Sequence, residues 1–126
     1  VSIKNTYQRQ VDQRASTYLA VADWLNHNTK PKNSVAFVEI GYLGYFTENR
    51  IIDLVGLVDP AYRDNGAHMN LASNFWQAEP DYFLYAPDFN WLLGPIVEDE
   101  RFAKRYHLVT KIPSHLSTPL MIYEKE

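Results

Sequence analysis

No cysteine occurs in these 126 residues. That removes disulfides, thiolate catalysis and cysteine-based zinc sites together. It also suits an oxidising compartment, where a stray thiol is a liability. No apolar run approaches the roughly 18–20 residues of a membrane span. Nothing at the start reads as a signal peptide, and Val1 stands there without an initiator Met. An excised fragment or processed chain of a larger protein is the expectation. Basic residues never run beyond two together, and the net charge is −3. Nucleic acid is therefore not an expected partner, because phosphate binding needs a concentrated cationic face. His27, His68, His107 and His115 lack metal-ligand spacing, and no G-x-S-x-G surrounds a serine. A zinc site and an α/β-hydrolase nucleophile are both unsupported, and no cofactor is expected.

What is present reads as one globular α/β domain, with 46% hydrophobic and 21% charged residues. A chain of this length buries roughly two-thirds of the surface its unfolded form exposes. Tyr7, Val11, Tyr18, Ala22 and Leu25, widened by Val21 and Trp24, predict a helix from Asn5 to about Asn28. Ser34–Ile40, Arg50–Leu54 and Asp81–Ala86 are compact branched and aromatic runs that read as strands. Helical stretches lie between them, at Gly41–Phe46 and Asn70–Glu79. Such alternation predicts parallel pairing. A charged helix, Glu98–Arg105, places acids first and bases last, matching the helix dipole. Tyr106–Ile112 and Leu120–Lys125 are joined by too short a link for a helical crossover, so they should pair antiparallel. The expected architecture is a three-layer α/β sandwich. Its mainly parallel sheet has about five strands and an antiparallel C-terminal edge hairpin.

The candidate chemistry gathers at strand ends. Glu39-Ile40-Gly41-Tyr42-Leu43-Gly44 contains E-x-G-x-x-G at a strand-to-helix junction. A glycine-rich turn there can bring backbone N–H groups to a phosphate. The dinucleotide fingerprint needs one more glycine, at the place of Glu39, and Tyr42 and Leu43 crowd the turn. Glycines that merely allow tight packing are the plainer account. Asp53 sits inside the apolar run Arg50–Val58, where an unpaired charge is costly. Glu39 and Asp53 at neighbouring strand ends could act as acid and base or hold a cation. Alternatively each caps backbone N–H groups of the following turn, helped by Arg50 and nearby tyrosine hydroxyls. Asp59-Pro60 reads as a cap and first helical position. Among the aromatics, Phe37, Phe46 and Phe83 suit the core. Tyr42 and Tyr45 at the glycine turn, and Phe89 and Trp91 in an expected loop after Pro87, suit a recognition surface.

The order Glu-Ile-Gly-x-x-Gly-Tyr, then Arg-Ile-Ile-Asp-Leu-x-Gly-Leu-x-Asp-Pro, then Pro-Asp-Tyr opening a strand, carries a resemblance. The chain resembles, over most of residues 5–86, the soluble C-terminal domain of bacterial polytopic membrane glycosyltransferases. These are of the mannosyltransferase-like, polyprenyl-phosphate-sugar class. The matching positions are Glu39, Gly41, Gly44, Asp53, Gly56, Leu57, Asp59 and Pro60. The resemblance implies a non-catalytic accessory domain that assists acceptor positioning, with the catalytic carboxylates in membrane loops elsewhere. It further implies the extracytoplasmic face of the bacterial cytoplasmic membrane. The implied partners are the membrane domain of the same polypeptide and a glycan or polyprenyl-phosphate-linked sugar. Two other readings stay open on the residues alone. One is a small free-standing enzyme or nucleotide-binding protein using the Glu39/Asp53 edge, and the other is a carbohydrate- or protein-binding module.

Overall fold

A computed structural model describes residues 3–38, 43–44, 46–54 and 71–126, the side chains of 3–12 excepted. Helix α1 runs from Ile3 to Asn28. Tyr18, Val21, Ala22 and Leu25 of the expected stripe are buried, joined by Thr17, while Trp24 is half-buried and the side chains of Tyr7 and Val11 lie outside those described. The Thr29 N–H bonds the Leu25 carbonyl at 2.9 Å, and the Thr29 hydroxyl donates to the same oxygen at 2.6 Å. The last turn is thereby satisfied before Pro31 ends the run.

Five strands follow: β1 Ser34–Phe37, β2 Arg50–Asp53, β3 Tyr82–Tyr85, β4 Tyr106–Ile112 and β5 Leu120–Lys125. They form one mixed sheet in the order β2-β1-β3-β5-β4. β1 is parallel to both β2 and β3, whereas β5 is antiparallel to β3 and β4. The α/β class, the parallel inner strands and the antiparallel terminal hairpin all match the sequence reading. β1 ends at Phe37, short of the expected Ile40; residues 39 and 40 lie outside the described residues.

Every side chain of β1 and β3 is buried. Tyr82 meets Trp24 of α1, with ring centroids 6.2 Å apart. Its neighbour Phe83 meets Phe75 of α2 (Leu71–Ala78) at 4.9 Å and Phe102 of α4 (Glu100–Arg105) at 5.9 Å. Phe102 stacks on Tyr106 at 5.3 Å, and Phe75 lies 5.1 Å from the same ring. This aromatic cluster joins α2 and α4 to the sheet. Asp99 caps α4 by accepting from the Arg101 N–H at 2.8 Å, so the helix starts two residues later than Glu98.

One expectation fails here. Phe89 and Trp91 do not lie in a loop after Pro87: Pro87–Phe89 is a 3₁₀ turn and Asn90–Val97 is helix α3. Pro87, Gly94 and Pro95 read as breakers, yet Leu93, Gly94 and Ile96 are buried and packing overrides the local preference. Gly94 has a local reason: a Cβ there would come within 3.3 Å of the Asn90 side chain. The Asn90 side-chain oxygen in turn accepts from the Tyr85 hydroxyl at 2.8 Å.

The Tyr106 hydroxyl donates to the buried Pro80 carbonyl at 2.7 Å. Burial, then the nearby Glu79 and Asp81 charges, push this phenol well above its ordinary range. Tyr106→Phe keeps the ring packing but strands that carbonyl. It should lower unfolding stability by about 1–3 kcal/mol in denaturant titration. A change near zero would mean that the bond adds nothing.

Candidate functional site

The three parallel strands end together, and in such sheets ligands favour the carboxyl edge where strand order reverses. The order β2-β1-β3 places that reversal between β1 and β3. Phe37 closes β1 there, and Phe89 lies edge-on against it, with centroids 5.5 Å apart and an interplanar angle of 88°. The 3₁₀ turn folds the chain back over the strand ends and seats Phe89 half-buried on the core. Phe89 is thus packing rather than the exposed loop residue expected of it. Trp91, two residues on, is 77% exposed in the first turn of α3. The expected pair therefore points in two directions.

Asp53 is the last residue of β2, is only 4% exposed and lies in register with Phe37 of β1. Beside it, the Leu54 carbonyl accepts a 2.7 Å bond from the buried Asn74 amide of α2. Arg50 opens the same strand about 10 Å away, and an odd separation puts it on the opposite face. Arg50 is thus set apart from Asp53 along the strand, and Glu39, the other carboxylate it is expected to help, lies outside the described residues. Glu39, Gly41, Tyr42, Tyr45 and Asp59 lie outside the described residues, as do Gly56, Leu57 and Pro60. Gly44 lies in a short helical stretch, and a Cβ there would meet nothing within 4 Å. Tight packing does not explain that glycine.

Two carboxylates outside the expected set organise this domain. Asp88 accepts from the Ser117 N–H at 3.2 Å and the Ser117 hydroxyl at 2.7 Å, and it also binds the Thr118 hydroxyl. It ties the end of β3 to the β4–β5 link. The hydroxyls of Thr118 and Ser117 hold its pKa down, from the usual 3.8 to about 2. At the opposite edge, Asp81 accepts from the Ser34 N–H at 2.9 Å, the Ser34 hydroxyl at 3.4 Å and the Asn33 amide at 3.5 Å. Burial alone would raise Asp81, but the Ser34 and Asn33 bonds and the Lys125 charge outweigh it and lower its pKa. Carboxylates so held keep their charge and are weak proton acceptors at neutral pH. Pro87-Asp88 at a strand end is a cap-like signal, but nothing in the sequence pairs it with Ser117, 29 residues on.

The remaining polar groups follow the same pattern. Tyr85 donates to Asn90, and its phenol is raised by burial, then by Tyr123 and Glu98. His27 pairs with Asp23, His107 with Glu126, and the His115 ring nitrogen Nδ1 lies 3.1 Å from the Thr17 hydroxyl; His68 is outside the described residues. Among the described residues, no group of three or more His, Cys, Asp or Glu could hold a metal ion. No described helix is long and apolar enough to cross a membrane.

Fold and edge together define a mixed-sheet α/β domain with Phe89 packed on Phe37 at the strand-order switch and Trp91 exposed on α3. Residues 4–123 match a family model described as "Domain of unknown function (DUF8728)", and the chain belongs to that family. No curated protein and no solved structure matches it.

Asp53→Ala should cost about 2–4 kcal/mol, the range for breaking a buried polar network. Thermal unfolding checks this. Near-normal stability with loss only of a binding activity would make Asp53 a ligand residue instead. The Asp88 clamp has an acid signature. Its folded pKa lies below the unfolded one, so its contribution is complete above about pH 4 and is lost as pH falls through about 2. Melting temperatures of wild type and Asp88→Ala should therefore differ by a constant amount from neutral pH down to about 4. They should then converge towards pH 2. A pH-independent gap would remove the carboxylate's charge from the account.

Proposed function

We propose that this domain is a three-layer α/β sandwich serving as the non-catalytic extracytoplasmic accessory domain of a membrane-bound glycosyltransferase. Its partners are the membrane region of the same polypeptide and a glycan or polyprenyl-phosphate-linked sugar whose acceptor it helps to position. The layering is supported by β3, where neighbouring side chains point to opposite faces. Tyr82 contacts α1, while Phe83 contacts α2 and α4. The observation that carries the functional reading is the burial of Asp53 within the Asp-Leu-x-Gly-Leu-x-Asp-Pro motif. A carboxylate 4% exposed at the end of a strand builds the fold rather than meeting a substrate in solvent. Asp81 and Asp88 are likewise engaged with backbone and hydroxyl groups. General acid–base chemistry instead needs a carboxyl group within reach of a reacting atom. The exposed Trp91 favours recognition as the second reading, a carbohydrate- or protein-binding module.

The purified chain, given polyprenyl-phosphate-linked hexoses and candidate acceptors, should show neither transfer nor hydrolysis above the uncatalysed rate. Turnover that disappears in Glu39→Gln would replace this reading with an enzyme using the Glu39/Asp53 edge. The parent reading frame should encode about ten or more apolar spans of roughly 20 residues each before Val1. A frame without them removes the membrane tether.

A further inference from the structure

A groove of about 500 Å³ lies between α1 and the link that joins β4 to β5. Its size falls within the range of small-molecule sites, about 300–1,000 Å³. Gln13, Ser16, Thr17, Ser114 and His115 supply its polar lining. Ala20, Ile112 and Pro113 supply the apolar part. Among the described residues, no charged side chain lines it.

The wall is fixed in advance. The Thr17 hydroxyl donates to the Gln13 carbonyl at 3.0 Å and accepts from the His115 backbone N–H at 2.9 Å. The His115 ring also packs on Tyr18, with centroids 5.7 Å apart, which anchors the link to the core face of α1. Ser114 donates to the Thr118 carbonyl at 2.6 Å and accepts from the Leu116 N–H at 3.0 Å. Asp88 holds Ser117 and Thr118 from behind. A link so restrained loses little conformational freedom when something binds to it.

We propose that this groove is a sugar-binding subsite that takes a neutral pyranose of a glycan. A pyranose offers hydroxyls round its rim and C–H groups on its faces. Hydroxyl, amide and imidazole groups beside an apolar strip match that division. An ionised phosphate would find no cation among the described lining residues to receive it, so phosphate-bearing ligands are disfavoured. Aromatic stacking on Trp91 is a separate surface on α3. The inference rests on the acceptor-positioning reading and gives it a location.

Amide NMR titrations of the purified chain with methyl α-mannoside, maltotriose and N,N′-diacetylchitobiose test it. At least one sugar should give saturable shifts at Ser16, Thr17, Ser114 and His115, with a Kd on the order of 1 mM. Ser16 is exposed, so Ser16→Trp should fill the groove with an unchanged melting temperature and weaken binding about tenfold or more. No saturable shift with any of the three would overturn the proposal. So would shifts centred on Trp91, or binding that survives Ser16→Trp. Saturable shifts at the groove with inorganic phosphate would overturn its neutral chemistry. Failure here leaves the accessory-domain reading standing, because that reading is decided by the upstream spans and the turnover assay.

Discussion

Ser34 and Asp81, 47 residues apart, exchange hydrogen bonds in both directions, and the sheet is organised about that exchange. The Ser34 N–H donates to the Asp81 carboxylate, while the Asp81 N–H donates to the Ser34 hydroxyl at 2.9 Å. β1 and β3 are in register over just Val35↔Tyr82 and Ala36↔Phe83, a short seam. Yet this seam joins the parallel half of the sheet to the antiparallel half. A staple at its first residues fixes the register, and a slip of one residue would turn Phe83 away from Phe75 and Phe102. Asn33 and Lys125 reinforce the same carboxylate from either side.

The other chain reversals are secured in a similar way. Asn49, 8% exposed, donates to the Thr29 hydroxyl and the Lys30 carbonyl, each at 2.9 Å. It fixes the entry to β2 against the end of α1. Asp88 does the corresponding work for the β4–β5 link. At the end of α2, Glu79 holds a left-handed φ of 45°, where glycine is the usual residue. Its carboxylate reaches Arg105 at 2.7 Å and its carbonyl receives Lys125 at 3.1 Å. Short strands with polar ties across the chain suit a protein that has no cysteine for a disulfide and, among the described residues, no metal-ligand group.

The sequence made the regular elements legible wherever apolar period and element agreed. The α1 stripe, the three inner strands and the terminal hairpin follow from spacing and link length alone. Burial of Asp53 was readable too, because a carboxylate within a branched apolar run has few places to go. The 87–97 segment was not readable, since two prolines and a glycine argue locally for loop. Pro95 inside α3 removes one helical bond, and the carbonyl it leaves belongs to Trp91, an exposed position where water can serve it. What the helix gains is burial of Leu93 and Ile96, a tertiary term that no local window contains. Asp88 and Asp81 escaped for the same reason, because their partners lie 29 and 47 residues away.

The aromatic residues show how composition and function part company. Six phenylalanines, nine tyrosines and three tryptophans could read as a sugar-binding surface. Within the described residues most turn inward: Phe75, Phe83, Phe102 and Tyr106 form one cluster, and Phe89 joins Phe37. The phenols of Tyr85, buried, and Tyr123, half-buried, are raised chiefly by desolvation and stay protonated at neutral pH. Trp91 stays outside, so among the described residues an aromatic count overstates the exposed aromatic surface. The groove beside α1 gave no aromatic signal at all. It is built from serine, threonine, glutamine and one histidine, residue types whose hydrogen-bonding value depends on being held still. In this fold the holding is done by Thr17 and Asp88, which makes the polar ties of the sheet edge and the shape of the groove parts of one construction.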